Sequence, residues 1–251
     1  MVCALAAIGA GSIEARAAAP GPVCPASAPS VFVDNGAGAL LAGHRGAQRP
    51  LQLLAIGSSS TLGVGASAPT NAYPAQLALD LSSQWGVAAQ VRNAGVGGET
   101  SGATLARLRG ELARGAPDLV IWQVGTNDAV AGVDAAVFRA NLEAGVLAAR
   151  AKRVPIILVD PQFYPGIKNL ARYQRFVAVI ADVGARMRVP VFSRFAMMKA
   201  WAAKSATGLS AGLSPDGFHM DDQGYACFAR ALAGDIAQEG EPLGRPAAAK
   251  M

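Results

Sequence analysis

The chain has only two histidines and three cysteines among its 251 residues, and only 16% of them are charged. Each scarcity removes a class of function. His44 and His219 stand far apart and no C-x-x-C pattern accompanies them, so no zinc or other metal site is expected. No G-x-G-x-x-G follows a strand-like run. The Gly-rich loop at 57–67 also lacks the Lys-Ser/Thr pair of a phosphate loop, because Val64 follows Gly63. No nucleotide or other cofactor is therefore expected. The formal charge of +5 comes from scattered Lys and Arg with no basic run interleaved with aromatics, which argues against a nucleic-acid partner. No apolar run reaches the ~20 residues needed to span a bilayer, so stable membrane insertion is not expected either.

What is present begins with a short apolar run, Val2 to Ile13, followed by the small residues EARAAAPGP. This resembles a signal-peptide core with an A-x-A-like site near Ala15 to Ala19, although nothing charged precedes Glu14. The expectation is a leader at 1–19 and export to the periplasm or the exterior. A Pro-, Gly- and Ala-rich segment at 20–48 would follow it. Loss of the leader would remove Cys3 and leave Cys24 and Cys227. In an oxidising compartment these could pair, tying the N-terminal segment to the last long helix. Alternatively, Cys227 is a buried helix residue with a free thiol.

The ordered region reads as one domain, 49–238, with a tail at 239–251. LQLLAIG at 51–57 is a continuous apolar run of the kind found in buried parallel strands. Similar runs occur near 87–95, at 118–125, at 154–160 and at 189–193. Between them, stretches such as YPAQLALDLSSQW and NLARYQRFVAVIADVGARM repeat apolar residues at three- and four-residue spacing, as amphipathic helices do. A final helix starts near Asp221. Strands alternating with helices predict an α/β domain whose parallel sheet is covered on both faces, with functional residues at the carboxyl ends of the strands.

The polar residues fall at those ends. After the first run, GSSSTLG offers three adjacent serines, Ser58, Ser59 and Ser60. A serine hydroxyl needs an imidazole to take its proton. His44 lies in a Gly-rich lead-in where a mobile, solvated side chain is the default. His219 lies in SPDGFHMDD, before the last helix, with Asp216 three residues upstream. That spacing lets a loop fold the carboxylate against the imidazole.

These residues fall into motif blocks that resemble the SGNH (GDSL-type) hydrolases. The blocks are Gly57-Ser58-Ser59, NAGVGGET at 93–100, Gly125-Thr126-Asn127-Asp128 and Asp216-x-x-His219. The resemblance implies a three-layer α/β/α, flavodoxin-like domain with a five-stranded parallel sheet. It further implies a serine esterase, lipase or thioesterase acting through an acyl-enzyme. Alignment on Gly57 and Thr61 makes Ser59 the nucleophile, with Asp216 and His219 completing a triad. Ser59, Gly98 and Asn127 would form the oxyanion hole. One position departs from the pattern: Ser58 stands where the first block usually has Asp. That Asp supports the nucleophile loop and is not a triad member. Ser58 and Ser60 are then read as loop hydrogen-bonders.

Other readings stay open on the sequence. Asn127 and Asp128 could cap a turn, and Asp221 could cap the last helix. Asp160, Gln162, Phe163 and Tyr164 could line a cleft or shape a loop before Pro161. The Met/Trp-rich stretch at 194–215 could wall an acyl site or pack in the core. The expected partner is a small-molecule ester, an acylated sugar or a lipid, met by a monomer. A non-catalytic carbohydrate-binding module or an acyltransferase on the same fold are the alternatives.

Overall fold

The computed structural model describes residues 24, 43, 44, 47–204 and 208–238. The proposed leader, most of the 20–48 segment and the C-terminal tail therefore lie outside the described residues. Five parallel strands form one sheet in the order β2-β1-β3-β4-β5. They are β1 (Leu51–Gly57), β2 (Ala89–Gly95), β3 (Leu119–Gln123), β4 (Ile156–Val159) and β5 (Val191–Phe192). β5 is only two residues long, shorter than the apolar run at 189–193, and pairs with β4 at the sheet edge.

Eight α-helices are described: α1 (Ser59–Leu62), α2 (Tyr73–Trp85), α3 (Ser101–Arg114), α4 (Thr126–Ala131), α5 (Ala135–Ala151), α6 (Leu170–Met187), α7 (Arg194–Lys204) and α8 (Asp222–Gln238). Alternate residues of β1 feed two cores. Leu51, Leu53 and Ala55 pack with α2, α7 and α8, while Leu54 and Ile56 pack with α3, α5 and α6. This period of two is the pleat of a strand buried on both faces, and it makes the three layers. Trp122 of β3 is fully buried and donates from Nε1 to Thr104 Oγ1 at 3.2 Å. Helix α5 meets it through Gly145, where a Cβ would lie 2.1 Å from the indole.

Local chemistry sets the helix ends. Asp134 accepts from the N–H groups of Ala136 and Val137, Asn169 from that of Arg172, and Asp221 from that of Gly224. Asp221 thus caps α8. Met197, Met198 and Trp201 of α7 are at most 2% exposed, so this part of the Met/Trp-rich stretch is core.

Two N-terminal features are also fixed. Cys24 and Cys227 form a disulfide with a Cα–Cα distance of 5.3 Å across 203 residues of sequence. His44 is not solvated: its side chain is 13% exposed and Nε2 lies 3.6 Å from Asp118 Oδ2. Asp118 also takes a two-pronged bond from Arg49 and the N–H of Gln52, which holds its carboxyl below the usual range and makes it a local anchor.

Chain order reverses at β1. Its successor β2 lies on one side and β3, β4 and β5 continue on the other. The carboxyl ends of β1 and β3 flank this switch point, where open α/β sheets leave a crevice. Ser59 and Asn127 follow those two ends.

Candidate active site

Ser59 is the first residue of α1, immediately beyond β1. The turn is tight enough to demand glycine at 57, since a Cβ there would lie 2.7 Å from the Gln123 carbonyl oxygen. As the first helical residue, Ser59 has a backbone N–H with no partner inside the helix. Its neighbours point inward. Ser58 is 5% exposed, and both its N–H and its hydroxyl donate to Gln123 Oε1, at 3.3 and 3.4 Å. Ser60 is 2% exposed and donates to Gln162 Oε1 at 2.9 Å. Among the three, Ser59 is the serine whose Oγ meets an imidazole, at 2.9 Å from His219 Nε2.

His219 sits in a short loop closed by an antiparallel bridge between Leu213 and Met220, with Ser214 N–H donating to His219 C=O at 2.8 Å. Asp216 occupies the centre of that loop. Its Oδ1 accepts from Ser214 Oγ and from the N–H groups of Phe218 and His219, at 2.7, 2.9 and 2.9 Å. Its Oδ2 lies 2.6 Å from His219 Nδ1. Desolvation pushes the Asp216 carboxyl upward, but the bonds to His219, Ser214 and the backbone outweigh it and hold the group well below the usual carboxylate range. Asp216 is therefore ionised throughout the neutral range and fixes the proton of His219 on Nδ1, leaving Nε2 free to accept from Ser59.

The other motif blocks follow the carboxyl ends of β2 and β3. Gly98 has φ 79°, a left-handed conformation that glycine adopts without strain, and it is exposed. Asn127, in the first turn of α4, donates one Nδ2 hydrogen to Glu99 C=O at 2.8 Å, which leaves its second amide hydrogen for another acceptor. The fully buried Asp128 accepts from Ser101 N–H at 3.0 Å and from Ser101 Oγ at 2.6 Å, joining α4 to the start of α3. Burial outweighs these bonds and raises its carboxyl above the ordinary value. Asn127 and Asp128 thus both tie loops together; they do not merely cap one turn.

Several supports were not read from the sequence. Arg107 of α3 grips Glu99 through Nε and Nη2, and also donates to Ala94 C=O at 2.6 Å and to Gly57 C=O at 3.1 Å. One guanidinium therefore holds the end of β1, the end of β2 and the residue after Gly98. Asn93 donates to Thr61 C=O at 2.7 Å, pinning α1. Gln123 and Gln162 hold the flanking serines. A glutamine ending the otherwise apolar LVIWQ, and another in the buried PQF segment, were the available signals, since buried polar side chains need partners. Asp160 does not line the crevice: it is 1% exposed and accepts from Phe195 N–H and Ser193 Oγ at the start of α7. Tyr164 stacks edge-on against Phe218, which stacks edge-on against His219, at ring separations of 4.7 and 4.6 Å.

Beside the crevice, a cavity of about 350 Å³ opens between α4 and the 164–173 segment, with Val130, Tyr164 and Ile167 in its wall. Among the described residues no cluster of three or more His, Cys, Asp or Glu is arranged to hold a metal ion.

Comparison with known proteins gives a consistent set. Residues 25–241 match the model of a family described as non-GDSL lipase-like. Esterase TesA of Pseudomonas aeruginosa is 31% identical over 131 residues, a match spanning 47% of this chain and 65% of that protein's length. The crystal structure of a lipase/acylhydrolase from Enterococcus faecalis superposes with a TM-score of 0.64 at 25% identity, covering 77% of this chain and 99% of that one. A crystal structure of TesA gives a TM-score of 0.57 at 25% identity, covering 75% and 94%.

Proposed function

The chain belongs to the non-GDSL lipase-like family, and from that premise we propose that it is a serine esterase cleaving carboxylic ester or thioester bonds through an acyl-enzyme. One observation carries the reading. An unbroken hydrogen-bond line runs from Asp216 Oδ2 to His219 Nδ1, and from His219 Nε2 to Ser59 Oγ, at the switch point of the sheet.

In the first step Ser59 Oγ attacks the carbonyl carbon while its proton passes to His219 Nε2. The imidazolium so formed is stabilised by Asp216. Charge building on the carbonyl oxygen is met by the N–H groups of Ser59 and Gly98 and by the remaining amide hydrogen of Asn127. Pre-oriented donors of this kind are worth ~3 kcal/mol each in the transition state. His219 then protonates the departing alcohol or thiol. In the second step His219 takes a proton from water as the water oxygen bonds to the acyl carbon. The bond from that carbon to Ser59 Oγ then breaks, His219 returns the proton to Oγ, and the acid leaves. The substrate class is a small ester, an acylated sugar or a lipid.

The Cys24–Cys227 bond supports a second element of the proposal, that the protein works in an oxidising compartment, periplasmic or extracellular.

A fluorophosphonate probe tests the chemistry. The native protein should be labelled at one site and lose para-nitrophenyl ester hydrolysis in step with labelling, while S59A should take up no label. Equal labelling of S59A, or unlabelled S59A with native turnover, overturns the assignment.

A further inference from the structure

The cavity beside the crevice has a mixed lining. Val130, Tyr164 and Ile167 give it apolar surface, and Lys168 and Arg172 give it positive charge. A second cavity of about 420 Å³ shares Asn169 and Arg172 with it and adds Arg175 and Asp134. Three cations and one carboxylate thus border the groove made by these two adjoining cavities. Asp134 caps α5, its Oδ1 accepting from the N–H groups of Ala136 and Val137, and the three cations outnumber its single negative charge.

Among the described residues, none of Lys168, Arg172 and Arg175 has an ion-pair partner. Farther along the same helix the pattern differs, since Arg186 of α6 is bound by both Glu143 and Asp182. Arg172 is also seated. Its guanidinium lies over Gly132, where an added Cβ would stand 2.1 Å from Nη2. Val130, 62% exposed and on the same short helix as Asn127, adds an aliphatic surface to the cavity. Tyr164 connects the groove through Phe218 to His219.

We infer that this groove is a subsite for an anionic group, so that the preferred esters carry a carboxylate or phosphate separated from the scissile bond by a short apolar segment. A guanidinium fork and a neighbouring ammonium recognise either oxyanion. The apolar wall takes the intervening carbons, and the cations take the distal charge. The inference rests on the esterase reading of Ser59.

Two matched ester pairs test it. One places charge on the alcohol half: butyrate esters of para-hydroxybenzoate and of para-hydroxyacetophenone. The other places charge on the acid half: para-nitrophenyl esters of suberic acid, with one carboxylate free, and of octanoic acid. The native protein should favour the charged member of one pair by about tenfold in kcat/KM at low salt, and the preference should fall as salt screens it. In R172Q/R175Q the ratio should drop toward one; the pair that responds tells which half of the ester enters the groove. Ratios near one in both pairs, or ratios unmoved by R172Q/R175Q, overturn the inference. Binding of the same esters to S59A by calorimetry gives a readout without turnover. If the native protein hydrolyses no ester, the esterase reading fails on its own. The subsite then stands if S59A holds a charged ester more tightly than its neutral partner, and falls if it does not.

Discussion

Replacing Asp216 by Asn should cost far more activity than its size suggests, and the loop explains why. Oδ1 is surrounded by three donors, Ser214 Oγ and the N–H groups of Phe218 and His219. An Asn side chain must therefore present its carbonyl oxygen there, which turns its NH2 toward His219 Nδ1. Nδ1 must then accept, so the ring proton moves to Nε2, which faces Ser59 Oγ at 2.9 Å. A protonated Nε2 cannot take the serine proton. Locking the wrong tautomer in a Ser-His-Asp arrangement lowers kcat by ~10⁴-fold, about 5 kcal/mol in barrier height. D216A removes the acceptor but imposes no tautomer, so it should retain more activity than D216N. The assay is para-nitrophenyl acetate turnover at neutral pH, with thermal melts to show that both variants are folded. A folded D216N within tenfold of the native rate, or one more active than D216A, would refute the reasoning.

Three other outcomes follow from the same contacts. R107M releases the ends of β1 and β2 together with Glu99, and should lower kcat ten- to a hundredfold, as expected for losing charge-assisted bonds of ~1.5–3 kcal/mol. KM should change little, and R107K should recover part of the loss; an R107M protein with native kcat contradicts the positioning role. C24A/C227A opens a link across 203 residues and should lose about 2–5 kcal/mol in chemical denaturation, whereas equal stability with and without reductant would show that the bond does no such work. Asp160 gives a pH signature. Burial pushes its carboxyl up to about 7 from an ordinary 3.8, against the pull of Phe195 N–H, Ser193 and Arg194. Between those values the folded chain keeps a proton that the unfolded chain has released, so Asp160 lowers stability as pH rises through that window and adds no slope above it. D160N should flatten that part of the profile, as measured by urea unfolding at several pH values; an unchanged slope would assign the effect to other groups.

Much of this architecture was legible because its signals are local. LQLLAIG is apolar throughout and ends in Gly57, and the observed β1 has the same bounds. The run YPAQLALDLSSQW became α2 residue for residue, stopped by Gly86 at φ 63°. What stayed hidden depends on partners far away in sequence. Ser58 and Gln123 are 65 residues apart, Ser60 and Gln162 are 102 apart, and Arg107 is 50 from Gly57. No periodicity encodes those pairings. Only the rule that buried polar groups find partners could have raised the question. His44 misled for a similar reason: its Gly-rich surroundings suggest exposure, but Asp118, 74 residues on, gives it an electrostatic partner.

The irregular first block acquires a physical account from one of those distant partners. The SGNH pattern places an Asp at position 58, where an acceptor would steady the loop carrying the nucleophile. Ser58 brings two donors to that point instead, its N–H and its hydroxyl, and Thr61 brings a third. All three converge on Gln123 Oε1, and Gln123 is 1% exposed. The amide orientation is thereby set, because turning it would aim Nε2 at the Ser58 N–H, which cannot accept. Gln123 Nε2 is left with no partner, a cost of ~1–3 kcal/mol in a buried position. The acceptor comes from β3, and Asn127 follows the end of that strand four residues later. Support for the Ser59 loop and the proposed oxyanion donor thus issue from one strand.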